Sequence, residues 1–330
     1  MGRWADGQWG GLGRRVLTPC PTVRLSACLL LLACGRPGNV PPPAPAGPDP
    51  ALQARLEELV RGFRGDVGIY VRRLRTGQTA AIRADELFPT ASMIKVPIML
   101  ATFDAIERGQ LTFLQQLTYT DSLAYEDEED LLATVRDSTQ IALGKVAMLM
   151  LTLSDNTASL WLQHLSGTGV VINQWLAARG FDSTRVNSRT PGREEARRQY
   201  GWGQTTPREM AELLVRIREQ RAVSPAADQE MYRFLTRSYW TGYALAGVPP
   251  WVQAASKQGA VRRSRSEVVL VNAPSGDYVF CIITKNQQDE SWESVNEGWV
   301  LVRRVSGAIW NYFEPGGQWA PAEGAGRFKP

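Results

Sequence analysis

Ser92-Met93-Ile94-Lys95, Ser154-Asp155-Asn156 and Lys257-Gln258-Gly259 are three short motifs whose order along the chain decides how this sequence folds and works. If Ser92 opens a helix, Lys95 lies one turn further on the same face, so its amine can reach the Ser92 hydroxyl. A serine hydroxyl is a poor nucleophile until a neighbour removes its proton. A lysine does this at neutral pH only when burial or a second cation lowers its pKa. The first motif therefore predicts a nucleophile beside its base.

The other two motifs supply the partners that this chemistry needs. Lys257 is the candidate second cation, Ser154 a relay that passes a proton to the leaving group, and Asn156 a ligand for a substrate amide. The backbone N–H groups of Ser92, at a helix N-terminus, and of Ala260, on a neighbouring strand, would form an oxyanion hole.

Each motif taken alone has a simpler interpretation. Ser-x-x-Lys also describes a capped helix with a solvated lysine, Ser-Asp-Asn a helix N-cap, and Lys-Gln-Gly a turn. The chain holds only five lysines, however, and two of them, Lys95 and Lys257, lie within the motifs. The combination therefore favours the catalytic interpretation.

With these motifs in this order, the chain resembles the class A β-lactamases and the wider family of serine β-lactamases and penicillin-binding proteins. Phe88-Pro89 before the nucleophile, Lys95-Val96-Pro97 after it, and the run 205–211 also match the family pattern, and the likeness covers roughly residues 51–314. The resemblance implies that Ser92 is the acylated nucleophile, that Lys95 is its base or relay, and that Ser154 is the proton shuttle. It implies that Asn156 is a ligand of the substrate and of the lysine, and that Lys257 is the carboxylate anchor. Gln258, Gly259 and Ala260, which follow Lys257, are then expected to contact the substrate.

The first departure from the family pattern concerns the group that activates the deacylating water. Class A enzymes carry a glutamate 36 residues after the first residue of Ser-Asp-Asn, and here that position is Thr190. Threonine cannot act as a carboxylate base, so fast deacylation is in question. Glu194, one helical turn further, is the candidate surrogate base. The alternative is that Glu194 is a solvated partner of the neighbouring arginines.

The second departure concerns recognition of a substrate carboxylate. Gln258 stands where the family prefers a threonine or serine hydroxyl. Its amide can donate a hydrogen bond but is bulkier. Arg265 is a candidate carboxylate-binding charge; the alternative is a basic hairpin end that faces solvent.

The N-terminal segment predicts export and lipidation. An apolar run over 25–33, too short to span a bilayer, follows Arg24 and ends in Leu31-Leu32-Ala33-Cys34. This pattern resembles a bacterial lipobox, so we expect a signal peptide over 1–33 and a lipid on Cys34. A tether rich in proline and alanine, residues 34–50, would then hold the catalytic domain off the membrane, on the periplasmic or cell-surface side.

The order of predicted elements indicates an α/β (α+β) fold. Strands are predicted over 66–84, 252–260, 266–273 and 277–285, and helices cluster in between. We therefore expect an antiparallel sheet flanked by helices. It would be built from both ends of the 51–314 domain, about 51–91 and 238–314, around an inserted helical part at about 92–237. Residues 315–330 are predicted to be disordered, and the acidic run 126–130 a solvated loop near the site.

Composition excludes several classes of function. A formal charge of +4 is too small to indicate nucleic-acid binding. After the predicted signal peptide only Cys34, the predicted lipidation site, and Cys281 remain, so one histidine and no cysteine pair exclude a familiar metal site. A Ser-His-Asp triad is not expected, and no cofactor is implied. The sequence thus predicts a monomeric serine hydrolase acting on a β-lactam or a peptidoglycan-like peptide. The alternatives are a penicillin-binding-protein-like peptidase or esterase, and a non-catalytic cell-envelope binding module.

Overall fold

The computed structural model describes residues 47–125 and 130–329. The predicted signal peptide (1–33), the predicted lipidation site Cys34, most of the predicted tether and residues 126–129 of the acidic run lie outside the described residues. Within the described ranges, no helix is both long enough and apolar enough to cross a membrane.

Strands in the described residues form one large and two small sheets. Their bounds are β1 Gly47–Pro48, β2 Asp66–Arg73, β3 Gln78–Ile82, β4 Phe88–Pro89, β5 Gln116–Thr118, β6 Gln140–Ala142, β7 Arg185–Val186, β8 Gly203–Thr205, β9 Ala254–Val261, β10 Ser264–Val271 and β11 Tyr278–Lys285. The large sheet has the order β1-β3-β2-β11-β10-β9. Its pairs are antiparallel except for β1 with β3, which is parallel.

Most α-helices of the described residues lie between β3 and β9 along the chain. Their bounds are α1 Pro50–Val60, α2 Lys95–Glu107, α3 Leu143–Thr152, α4 Asn156–Leu165, α5 Thr168–Ala177, α6 Glu194–Tyr200, α7 Pro207–Arg218, α8 Pro225–Leu235 and α9 Glu297–Phe313. Helices α2 to α8 lie between β3 and β9, whereas α1 precedes β2 and α9 follows β11. Several begin at a side-chain cap of the expected type. Thr206, for example, accepts a hydrogen bond from Glu209 N, and Pro207 occupies the first turn of α7.

The central strands are buried on both faces because apolar clusters cover each side of the sheet. In β10, Val268 and Leu270 belong to the cluster that contains α2, α3, α4 and α7, whereas Val269 and Val271 belong to the cluster that contains α1 and α9. Successive side chains of a strand point to opposite faces, so a continuous apolar run suits a strand covered on both sides. Cys281 of β11 is buried in the first cluster.

The predicted fold class is confirmed: strands from both ends of the domain meet in one sheet flanked by helices. The sequence analysis did not predict the short sheets β4-β8-β7 and β5-β6, because strands of two or three residues carry too little periodicity to be recognised. It also did not predict the helix α6.

The end of the chain differs from the sequence prediction of a disordered segment. Trp319 donates its indole N–H to Ala246 O at 3.2 Å, Trp310 donates to Gly317 O at 2.8 Å, and a 3-10 turn covers Ala325–Phe328. The glycine and proline content of this segment suggested disorder. Trp319, however, packs against the folded domain, and overall composition does not reveal such a contact.

Candidate functional site

Ser92 lies in a 3-10 turn, Ala91–Ile94, that leads directly into α2. Met93 and Ile94 are fully buried, which fixes the turn in the core. Ala91 adopts φ +45°, a conformation that is uncommon and costly for a residue with a side chain. Lys95 Nζ donates to Ser92 Oγ at 3.2 Å, so the two predicted partners of the first motif are within hydrogen-bond reach.

Ser154 lies between two lysines. Its Oγ is 3.1 Å from Lys95 Nζ and 3.0 Å from Lys257 Nζ, and its carbonyl also accepts a hydrogen bond from Lys95. Ser154 has φ +67°, which directs both its hydroxyl and its carbonyl towards the lysines. The structure therefore brings together one residue from each of the three sequence motifs.

Two buried aspartates hold the Ser154 segment in place. Asp155 caps α4 by accepting from Ala158 N at 2.7 Å. Asp130 accepts from Asn156 N and from Thr157 N, each at 2.7 Å. Asn156 in turn accepts from Lys95 Nζ at 2.7 Å through its Oδ1. Asp130 was grouped with a solvated acidic run, but it is only 2% exposed, because it pairs with the N-terminal N–H groups of α4.

Both lysines are completely buried. Burial, and then the neighbouring charge of Lys95, hold the pKa of Lys257 well below its ordinary value, while Glu267 opposes this shift. Besides Ser154 Oγ, Lys257 Nζ donates to Gln258 O at 2.9 Å and to Gln258 Oε1. A pair of close, buried amines is what the predicted proton transfer requires, because the two cannot both hold a proton without cost.

Gly259 allows β9 to approach the 3-10 turn that carries Ser92. A Cβ at this position would lie 2.7 Å from Thr90 O and 2.9 Å from Ser92 N, closer than such atoms pack. The next residue, Ala260, lines the same cleft as Ser92. This proximity is compatible with the oxyanion hole predicted from the N–H groups of Ser92 and Ala260.

Thr190 and Glu194 lie apart from the cleft that Ser92 lines. Thr190 is nearly buried, donates to Ser188 O at 2.9 Å and packs against Gly169. Glu194, at the start of α6, is exposed and accepts from Gly192 N at 3.1 Å. Hydrogen bonds from its own backbone N–H and from Gly192 lower the pKa of Glu194, which makes its carboxylate a weaker base.

Arg265 also lies outside the cleft lining, although it is not the solvent-facing hairpin end of the alternative hypothesis. It is fully buried in β10 and donates to Val261 O at 2.5 Å, Ser264 O at 2.9 Å and Ser291 O at 2.6 Å. Its guanidinium stacks on the rings of Trp292 and Trp299, at 4.6 and 5.7 Å from their centroids.

The cleft has a volume of about 520 Å³, within the range of small-molecule sites. Its polar lining includes Ser92, Asp130, Ser154, Asn156 and Gln258, next to Ala260. Four aromatic residues also line it, and the sequence analysis did not single them out: Trp240, Tyr243, Trp292 and Trp299. The aromatic cluster 239–243 and the total of 11 tryptophans could have suggested an aromatic site. No sequence spacing, however, indicates that this cluster meets residues 292–299 in the fold.

Comparison with known sequences agrees with the motifs. The sequence profile described as the beta-lactamase enzyme family matches residues 51–313. A beta-lactamase of Mycobacterium tuberculosis is 27% identical over 290 residues, covering 83% of this chain and 90% of the relative. The beta-lactamase VEB-1 of Pseudomonas aeruginosa is 21% identical over 274 residues, covering 79% of this chain and 90% of the relative.

Solved structures show the same fold. PBP-A superposes with a TM-score of 0.73 at 28% identity, covering 82% of this chain and 99% of the other; a mutant of PBP-A, solved as an acyl-enzyme complex with penicillin G, gives the same values. A beta-lactamase from Sphaerobacter thermophilus has a TM-score of 0.71 at 21% identity, covering 81% of this chain and 98% of that one, and this likeness concerns the fold alone.

Replacing Gly259 by alanine tests the approach of β9 to Ser92. The added Cβ would push β9 away from Ser92 N and displace the Ala260 N–H, so we expect acylation of Ser92 by para-nitrophenyl acetate to slow by about 10²–10³-fold, as for loss of an oxyanion donor. The rate is measured as release of nitrophenolate, after subtraction of the rate of Ser92→Ala.

Gly307→Ala in α9 is the matched control, because a Cβ there meets nothing within 4 Å. We expect it to react as the unmodified protein does. If Gly259→Ala reacts as fast as Gly307→Ala, the close approach of β9 has no role in the reaction.

Proposed function

Because the chain belongs to the beta-lactamase enzyme family, we propose that it is a serine hydrolase that opens a β-lactam, or a related amide, through an ester on Ser92. The observation that carries this proposal is the arrangement of Lys95 and Lys257 around Ser154 Oγ, with Lys95 also bonded to Ser92 Oγ. A catalytic group must first lie within hydrogen-bond reach of the proton it moves, and these groups do.

The acylation step uses only these side chains. Ser154 Oγ connects the two amines, so one proton can pass between them and leave Lys95 unprotonated at the moment of attack. Ser92 Oγ then attacks the carbonyl carbon and gives its proton to Lys95. As the carbon–nitrogen bond breaks, the leaving nitrogen takes a proton from Ser154 Oγ, which recovers one from a lysine. The net result is an ester on Ser92, with the serine proton on the leaving group.

Among residues 47–125 and 130–329, no side chain is an evident base for deacylation. Water must attack the ester, return a proton to Ser92 Oγ and release a carboxylic acid. Thr190 holds no carboxylate, Glu194 is exposed away from the cleft, and Asp130 already accepts three hydrogen bonds from Asn156 and Thr157. A general base contributes about 10²–10⁴-fold, so we propose that the acyl-enzyme is long-lived.

The lifetime of the acyl-enzyme is measured by intact mass spectrometry of the protein mixed with benzylpenicillin. We expect one adduct that Ser92→Ala abolishes and that decays slowly. Glu194→Gln should change its decay by no more than about twofold, since the carboxylate faces solvent. Glu195→Gln, a neighbouring exposed glutamate, is the matched control. Stalled decay in Glu194→Gln but not in Glu195→Gln would instead identify Glu194 as the base.

A penicillin-binding-protein-like peptidase or esterase is the second candidate. The absence of a carboxylate at position 190 favours it, and the acyl-enzyme reported for the PBP-A mutant is consistent with it. An adduct that never decays would support this candidate. The buried lysine pair argues against a non-catalytic binding module, since holding two amines together in the core has a cost that mere binding does not require.

We also propose that the chain is exported and anchored to a bacterial membrane through a lipid on Cys34. The apolar run that ends in Leu31-Leu32-Ala33-Cys34 supports this. In bacteria fed labelled palmitate, the label should appear on the unmodified protein in the membrane fraction and be lost in Cys34→Ser. Cys28→Ser, within the predicted signal peptide, should keep the label. Labelling that survives Cys34→Ser would refute the anchor.

A further inference from the structure

The cleft beside Ser92 is lined by two unlike sets of side chains. One set carries the hydroxyl and amide groups of the three motifs. The other set is aromatic; we call it the aromatic wall and define it as Trp240, Tyr243, Trp292 and Trp299. Tyr243 stacks on Trp299 with ring centroids 3.7 Å apart, and Trp240 lies nearly parallel to Tyr243 at 6.4 Å.

The aromatic wall is bonded to the segment that carries the proposed proton donor to the leaving group. The indole N–H of Trp240 donates to Leu153 O at 2.9 Å, and Leu153 precedes Ser154, the proposed proton donor to the leaving group. Trp292 is 66% exposed although it lines the cleft. A large ring that remains exposed at the edge of a pocket is typical of a surface that binds a flat apolar group.

The cations nearest to the cleft lie beneath its lining: Lys95 and Lys257 are fully buried and bonded to Ser92 and Ser154. Among residues 47–125 and 130–329, neither lysine nor arginine lines the cleft, and Asp130 is its one charged lining residue. Two arginines contact or adjoin the wall, but they donate to backbone carbonyls. Arg265 donates to three of them, as described above, and Arg303 to Gly242 O and Ser294 O.

Lys257, which the family resemblance implies as a carboxylate anchor, has no donor left for a ligand. A protonated amine has three N–H groups and a neutral one has two. Lys257 Nζ already contacts three acceptors: Ser154 Oγ, Gln258 O and Gln258 Oε1. The side chain of Gln258 thus occupies the position next to Lys257, and β9 presents a neutral amide to the cleft instead of a cation.

We infer that the substrate of this site is an uncharged ester or amide whose leaving group carries a flat ring and no carboxylate. This inference rests on the proposed function of Ser92 and specifies its substrate class. An anion that enters this cleft loses its hydration and meets no lysine or arginine N–H group on the cleft lining, whereas a neutral ring stacks on the aromatic wall without that cost.

Benzylpenicillin and its methyl ester form a matched pair of probes, because they differ only in the carboxylate on the leaving-group side. The second-order rate constant for labelling Ser92 is measured for both by intact mass spectrometry of the full chain. We expect the ester to react at least as fast as the acid. A faster reaction of the acid would overturn the inference while leaving the proposed function intact, whereas no labelling of Ser92 by either probe would refute both.

Three variants identify the cause of the preference. Trp292→Ala, at an exposed position, should slow acylation by para-nitrophenyl acetate, whose leaving group is a flat neutral ring, about tenfold through lost stacking. Trp251→Ala is the matched control, a tryptophan that is 76% exposed and outside this cleft, and it should leave the rate unchanged. Gln258→Ser frees a donor on Lys257, so the ratio of acid to ester rates should rise about tenfold. Equal rates for Trp292→Ala and Trp251→Ala, or an unchanged ratio in Gln258→Ser, would contradict the inference.

Discussion

Two fully buried amines that share one hydroxyl are the feature on which the rest of the site depends. Lys95 and Lys257 approach Ser154 Oγ at 3.1 and 3.0 Å, and neither side chain reaches solvent. Two like charges bonded to the same hydroxyl repel strongly in a protein interior, so one amine favours the neutral form. In the proposed mechanism, the same repulsion that costs stability supplies a base at neutral pH, in a chain whose one histidine does not line the cleft.

The fold keeps this arrangement together by joining three segments that are far apart in sequence. The 3-10 turn before α2 carries Ser92, the N-terminus of α4 carries Ser154, and β9 carries Lys257. Gly259 lets β9 lie against the 3-10 turn that carries Ser92. Asp130 fixes the start of α4 by accepting hydrogen bonds from the N–H groups of Asn156 and Thr157. These contacts keep Lys95 and Lys257 next to the same hydroxyl.

The sequence predicted the parts of the site that motifs carry, because residues a fixed number of positions apart share a face or a turn. Ser92 and Lys95 are one such pair, and the sheet followed from its continuous apolar strands. It did not predict contacts made only through the fold. Trp240 and Trp299 meet in one wall although no repeat connects them, and Arg265 is held by backbone carbonyls. Glu194 was placed one turn from Thr190, but the chain turns its carboxylate to solvent and bonds it to Gly192 N.

The protonation of the two buried lysines is the most direct test of this account, and a chain with five lysines makes it practical. NMR of the protein with ¹⁵N-labelled lysine would follow each amine through a pH titration. Replacing Lys145, Lys285 and Lys329 by arginine, singly, assigns three signals and leaves those of Lys95 and Lys257. We predict that Lys257 titrates well below the ordinary value of about 10.4, because the folded protein disfavours its charged form. Titration of both remaining amines at or above that value would contradict the account.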